Sequence, residues 1–284
     1  MSAEPRLHVE VEGSGPVVVL AHGFGGSARN FLSQARALRD RYRIVRFDAR
    51  GHARSEAPAE ASAYTPEALV ADLGRVLDQV GARAAVVGGL SMGAGTALRF
   101  ALAHPERVEG LVLAAFPPGA GAPGTFAAVA ADFADAIERE GLEAAGARFV
   151  WGASSGLDPA AARLVRRGFL EHPPHGLAHT LRGVLAAEPS LDELAPRLAQ
   201  LGSPALVIVG ARDRMSLPAS RALAAALPRA KLVVVEGAGH VVNLAQPAAF
   251  NRALEEFLAA ASPIRTSTGS SSTSPPGTGL PRRP

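Results

Sequence analysis

Short runs of nearly uninterrupted apolar residues alternate along this chain with longer stretches patterned at helical spacing, and no other feature restricts the fold as strongly. Val17–Leu20, Arg43–Phe47, Ala85–Val87, Gly110–Leu113, Ala205–Val209 and Leu232–Val235 read as strands. Continuous apolar runs belong to strands covered on both faces, so the pattern predicts an α/β fold with a mostly parallel sheet between helices. Leu7–Val11 alternates instead and is expected at an antiparallel edge. Helices are expected over Asn30–Arg39, Pro66–Val80, Met92–Ala103, Pro218–Ala226 and Pro247–Ala260. For Pro66–Val80, Thr65 is placed as N-cap, Pro66 occupies the first helical position, and Gly81 can end the helix in the left-handed region.

The alternation breaks once. Between Pro117 and about Leu201 there is no convincing strand, only helical stretches such as Phe126–Glu140 and Pro159–Glu171. The expected organisation is therefore a core of residues 1–116 and 202–261, a helical cap insertion at 117–201, and a Ser/Thr/Pro/Gly-rich tail at 262–284 too poor in apolar residues to fold. Arg265, Arg282 and Arg283 lie in that tail, which holds no acid; the remaining chain carries 26 basic and 26 acidic residues. The formal charge of +3 thus describes the tail and not a nucleic-acid-binding face, and no nucleic-acid partner is expected. The absence of cysteine excludes a disulfide scaffold, a thiol nucleophile and Cys-ligated metal. The first ten residues have no apolar run of the secretory kind. The uncharged stretch Gly110–Ala131 is broken by Pro117, Pro118 and Pro123, so it reads as a strand and loop and not a membrane span. These features predict a soluble, cytoplasmic protein with no membrane partner.

The chemistry concentrates at Gly89-Leu90-Ser91-Met92-Gly93, which follows one expected strand directly and opens a helix. A serine on so tight a turn is pushed toward positive φ, with its hydroxyl above the sheet and the free N–H groups of a helix start beside it. Such a serine needs a base, and the base needs an orienting carboxylate. His240 lies in the glycine-rich loop after Leu232–Val235, and Asp213 just after Ala205–Val209, both at the sheet edge where open parallel sheets bind ligands. The order Ser91, Asp213, His240 is the one expected for this elbow, and no acid follows Gly110–Leu113 to compete with Asp213.

With these residues in place, the chain resembles the α/β-hydrolase family from about Leu7 to Ala260, in its branch of serine esterases and 3-oxoadipate enol-lactonase-like enzymes. His22-Gly23-Phe24-Gly25-Gly26 is similar to the family's oxyanion loop, and the resemblance implies that the backbone N–H groups of Phe24 and Met92 hold the developing oxyanion. Asp48-Ala49-Arg50-Gly51-His52-Ala53-Arg54-Ser55 is similar to the family's D-x-R-G-x-G-x-S stretch, with Ala53 where glycine is usual. The resemblance implies a serine hydrolase, with Ser91 as nucleophile, His240 as base and Asp213 as its orienter. It implies no cofactor and no metal. Fold-family relatives with an elbow aspartate, the epoxide hydrolases and haloalkane dehalogenases, do not match Ser91. Hydroxynitrile lyases need an active-site lysine, and the sole lysine, Lys231, begins a strand at the wrong end of the sheet.

The leading expectation is hydrolysis of carboxylic esters with small or medium acyl chains. A lactonase or carbon–carbon bond hydrolase is the alternative: Glu171-His172-Pro173-Pro174-His175-Gly176-Leu177 faintly resembles a cap segment of 3-oxoadipate enol-lactonases. Carboxylate-bearing substrates of that kind require a cap arginine, Arg163, Arg166, Arg167 or Arg182, to face the pocket. The Ser-Met-Gly elbow also resembles cofactor-free perhydrolases. An acyltransferase, or a ligand receptor on the same scaffold, is compatible with the same residues. Phe149 and Trp151 are candidates for the pocket roof. Phe126, Val129, Phe133 and Ile137 share a helical face suited to packing. His172, His175 and His179 are read as surface or cap-packing residues, and His22 and His52 as structural members of their loops.

Overall fold

The computed structural model describes residues 4–119, 126–152 and 159–261. The expected tail at 262–284 lies outside them. Seven strands, β1 (Val9–Glu12), β2 (Val17–Ala21), β3 (Arg43–Phe47), β4 (Ala85–Leu90), β5 (Val108–Ala114), β6 (Ala205–Gly210) and β7 (Ala230–Val235), form one sheet in the order β1-β3-β2-β4-β5-β6-β7. Only β1 is antiparallel, pairing Val9 with Phe47 on β3. The order reverses between β2 and β4, the kind of place where the loops after two neighbouring strands part and leave a crevice.

Alternate residues of the central strands feed two cores. Val19, Val45, Val87, Leu111 and Val207 pack on one face against α2 (Pro66–Gln79) and α3 (Met92–Ala103). Val18, Ile44, Val86, Val112 and Leu206 pack on the other, against α1 (Leu32–Leu38) and Phe250, Leu254 and Leu258 of the C-terminal helix. Burial on both faces is why these strands carry apolar residues without alternation. β7 departs from that pattern because it is an edge strand, with Lys231 and Leu232 exposed. The Thr65 side chain caps α2 by accepting from the Ala68 N–H at 3.1 Å, and Gly81 follows the helix at φ 68°. That cap is worth about 1 kcal/mol.

Between β5 and β6 the described chain is helical: α4 (Phe126–Phe149), interrupted at Gly141, α5 (Pro159–Phe169), α6 (Pro174–Thr180), a π-turn at Leu181–Leu185, and α7 (Leu191–Leu198). A third apolar cluster joins this segment to the sheet, with Ala130, Phe133, Ile137, Phe169 and Leu181 against Tyr64, Leu69 and Met92. The packing face of α4 therefore runs through Ala130, Phe133, Ala134 and Ile137, whereas Val129, expected on it, is 47% exposed. The Phe126 side chain lies outside the description. α7 also departs from expectation. Leu194, Leu198 and Leu201 are buried with the sheet's own core, so this helix sides with the α/β layers although it falls within 117–201. The chain then continues through β6, α8 (Ser216–Ala226), β7, α9 (Val242–Ala245) and α10 (Pro247–Ala261). Among the described residues no helix is long and apolar enough to cross a membrane.

Candidate active site

The C-terminal ends of β2, β4, β6 and β7 carry the site. After β4 the chain turns into α3 at Ser91, which adopts φ 53°, ψ −114°. Neighbouring hydrogen bonds hold this conformation: the Ser91 N–H donates to the Ala114 carbonyl at 2.8 Å, and the Ser91 carbonyl accepts from the Gly95 N–H at 2.9 Å. A Cβ at Gly89 would lie 2.4 Å from the Ala21 carbonyl oxygen, and one at Gly93 would lie 2.1 Å from the same atom. The turn can press against β2 only with glycine at both positions.

The loop after β2 lies beside that serine, since a Cβ at Gly23 would approach Ser91 Cβ to 3.5 Å. Among the described residues the N–H groups of Phe24 and Met92 donate to no protein acceptor. Met92 N–H is one of the donors that any helix start leaves unpaired. His22 Nδ1 donates to the Gly23 carbonyl at 2.8 Å and His22 Nε2 accepts from the Ala49 N–H at 2.9 Å, which selects one neutral tautomer. Burial lowers the His22 pKa to about 4, against the opposing pull of the Gly23 carbonyl and Asp48. Asp48 anchors the far end of the loop: Oδ1 accepts from the Ala28 N–H at 2.7 Å and Oδ2 from Arg54 Nε at 2.8 Å. Burial pushes the Asp48 carboxyl up, but its bonds from Arg54 and Ala28 outweigh that and hold it below the usual value.

Ala53, in the same stretch, has φ 44°. An L-residue in the left-handed region costs about 1–2 kcal/mol. Glycine gives back part of that gain through its larger unfolded-state entropy. Ala53→Gly is therefore expected to raise the unfolding free energy by about 0.5–1 kcal/mol, read as a higher midpoint in urea unfolding with an unchanged m-value.

Asp213 and His240 meet at the neighbouring loops. His240 Nδ1 donates to Asp213 Oδ2 at 2.8 Å, and the Ser216 N–H donates to Asp213 Oδ1 at 3.1 Å. Ser216 Oγ lies 3.3 Å from His240 Nδ1. Burial raises the Asp213 pKa, yet the hydrogen bond and charge of His240, together with Ser216, leave it lowered. These contacts commit Nδ1 to Asp213. No hydrogen bond joins Ser91 Oγ to His240 here, and the His240 side chain is 45% exposed. Bonds of this kind are often loose without substrate and tighten when it binds.

Aromatic rings cover the loop after β2. Phe24 meets Phe133 and Phe169 edge-on, at centroid distances of 5.5 and 6.3 Å. Sequence comparison agrees with this geometry: residues 18–253 match the family model described as alpha/beta hydrolase family. The chain belongs to that family. A Bacillus subtilis protein provisionally named 2-succinyl-6-hydroxy-2,4-cyclohexadiene-1-carboxylate synthase is 32% identical to the hydrolase over 249 residues, covering 85% of this chain and 89% of its own. Among solved structures, a thermophilic esterase from Thermogutta terrifontis superposes with TM-score 0.82 at 29% identity, over 90% of this chain and 94% of that one. The enol-lactonase from Burkholderia xenovorans superposes with TM-score 0.78 at 29% identity, over 90% and 97% of the two chains.

In the hydrolase, Ser91, Asp213, His240, Phe24 and Met92 gather at one edge of the sheet. Phe149 and Trp151 lie a layer further out: Phe149 stacks on Phe133 at 4.5 Å and Trp151 packs edge-on against Phe169 at 5.5 Å. The rings meeting Phe24 are His52, at 5.7 Å, Phe133, expected on a packing face, and Phe169, which carries no signal of its own in the sequence. His175 and His179 each place Nε2 3.2 Å from a backbone carbonyl, of Ala57 and Ala59. Among the described residues no three acidic or imidazole groups are grouped to hold a metal. Lys231 is the second residue of β7, at the strand's N-terminal end, and pairs with Glu256 at 3.0 Å.

Proposed function

We propose that the hydrolase cleaves carboxylic esters of small or medium acyl chains through an acyl-enzyme on Ser91, beneath a cap formed by the segment between β5 and α7. The observation that carries this reading is the strained Ser91, placed at the strand-order reversal on the same edge as the hydrogen-bonded Asp213–His240 pair. In this mechanism His240 Nε2 takes the Ser91 proton as Oγ attacks the acyl carbon, then returns it to the leaving alcohol. Asp213 keeps the Nδ1–H tautomer and stabilises the imidazolium. The N–H groups of Phe24 and Met92 receive the oxyanion, where one donor is worth about 3–4 kcal/mol. Water then attacks the acyl-enzyme with His240 again as base.

The likeness to an enol-lactonase supports the lactonase side of a second reading, a lactonase or carbon–carbon bond hydrolase. Substrates bearing carboxylates need a cation under the cap. Arg182 is instead bound to Glu138 and Asp135 in exposed pairs, Arg166 pairs with Glu143, and Arg163 and Arg167 are exposed. The rings on Phe24 suit a neutral acyl group better. Wild-type protein is expected to turn over p-nitrophenyl esters from acetate to decanoate, with kcat/KM highest within the short and medium chains. Folded protein inactive on the whole series but active on enol-lactones or vinylogous diketones would replace the first reading with the second.

A further inference from the structure

His172 reaches from the end of α5 into the loop after β2, and both of its ring nitrogens face carbonyl oxygens. Nδ1 lies 3.0 Å from the Phe169 carbonyl and Nε2 2.8 Å from the Gly26 carbonyl. The residue is 4% exposed. A carbonyl oxygen only accepts, so both bonds form only when each nitrogen carries a proton. A neutral ring would leave one lone pair aimed at a carbonyl in a buried place, the arrangement most costly for a polar group. The Gly26 N–H in turn donates to the Gly23 carbonyl at 3.0 Å, closing the turn that carries Phe24 N–H. The loop is thus tied at three points: to Ala49 through His22, to Asp48 through Ala28, and to the insertion through His172.

Given the ester-hydrolase reading above, we propose that His172 is a positioning residue that, as a doubly protonated imidazolium, holds the Gly23–Gly26 turn so that the Phe24 N–H points at the oxyanion. The groups around it are compatible with one local positive charge. His52, on the loop after β3, meets the His172 ring edge-on at 5.3 Å, and His22 lies 5.1 Å beyond His52. Burial pushes both of those histidines down, and the charge of His172 pushes in the same direction. His52 Nδ1 donates to the Arg50 carbonyl at 3.0 Å and its buried Nε2 has no partner, as a neutral ring would leave it. The remaining charges nearby are the Asp48–Arg54 pair on the β3 loop and the solvent-facing Arg29–Glu171 pair.

The test combines kinetics with NMR. In folded His172→Phe, kcat on a good p-nitrophenyl ester is expected to fall about 10- to 100-fold with KM within about twofold, because the loss acts on the oxyanion and not on ground-state binding. His172→Gln keeps an N–H for Gly26 and is expected to recover most of kcat. Nitrogen-15 shifts of the His172 ring in wild-type protein are expected to show both nitrogens protonated where the enzyme is active. A single-proton tautomer there, or unchanged kcat in folded His172→Phe, overturns the proposal. Reaction with a fluorophosphonate separates this failure from that of the ester reading. In that step Ser91 Oγ forms the P–O bond, fluoride leaves as the P–F bond breaks, and His240 takes the proton. Wild type labelled at Ser91 but indifferent to changes at His172 sinks the positioning role alone. Wild type that neither labels nor hydrolyses sinks the hydrolase reading and the positioning role together, and the NMR reports the ring's protonation in either case.

Discussion

Ser91→Ala is expected to lower kcat on p-nitrophenyl esters by about 10⁶-fold, to the residue of catalysis that binding and oxyanion donors supply alone. The fold should not change. Alanine keeps a Cβ at φ 53°, so the substitution neither relieves nor adds backbone strain, and the melting temperature should stay within a degree or two. Asp213→Asn tests the same site from its other end and is expected to cost about 10³–10⁴ in kcat. An amide at 213 can offer its NH₂ to His240 Nδ1 and select the wrong tautomer, leaving Nε2 protonated and useless as a base. Its pH signature has a definite sign. The wild-type carboxyl is held below its unfolded value, so it contributes stability that is complete above the ordinary carboxylate range and disappears as pH falls through the lowered value. Asp213→Asn should lose that share of the acid dependence in a series of urea unfolding curves. Turnover by purified Ser91→Ala above about one part in a thousand of wild type would remove Ser91 from the nucleophile's place.

The second large effect is on stability. Glu188, in the chain just before α7, is 3% exposed and accepts from Arg99 of α3 at 2.7 Å. The pair is poorly satisfied: Arg99 Nε, Arg99 Nη2 and Glu188 Oε1 are buried without partners. Burial raises the Glu188 carboxyl and Arg99 offsets only part of it. Glu188→Ala leaves the Arg99 guanidinium buried with no counter-charge and is expected to cost about 3–5 kcal/mol. Arg99→Met should cost less at pH 5 than at pH 8, because a carboxyl already pushed up can keep its proton when its partner is gone. The double variant Arg99→Met, Glu188→Leu is expected to recover most of the loss, since apolar replacement of a buried ion pair is often neutral or better. Equal and additive losses in a double-mutant cycle by urea unfolding would show that the pair does not act as a unit.

Much of the candidate site was legible because its signals are local. The Gly89–Gly93 spacing reads as an elbow since its constraint is a steric one between five adjacent residues and β2. Asp213 and His240 each follow a strand directly, so strand recognition placed them at the right edge. What escaped depends on distant packing. The contact of His172 with Gly26 spans 146 residues, and a histidine before two prolines carries no sign of it. The aromatic cover of Phe24 depends on how α4 and α5 settle on the sheet. On the alanine-rich α4, faces centred on Val129 and on Ala130 share Phe133 and Ile137, and periodicity alone cannot separate them. Leu194 and Leu198 have the spacing of any half-buried helix, which says nothing about which layer will bury them.

The placement of α7 bears on how this protein can change. β5 and β6 are parallel neighbours, pairing Leu111 with Ala205, and such neighbours need a crossover to return the chain to the sheet's starting edge. α7 sits in the layer that makes this return. Everything from the end of β5 to Glu188 is then surplus to the topology, a cassette whose two ends emerge on the same side of an already complete sheet. Insertions, deletions and exchanges there that keep His172 on Gly26 leave strand pairing and the Ser91 turn untouched while rebuilding the face of the cassette. Selectivity in this architecture can drift on one part of the gene while the chemistry is inherited on another, with His172 as a tie between them.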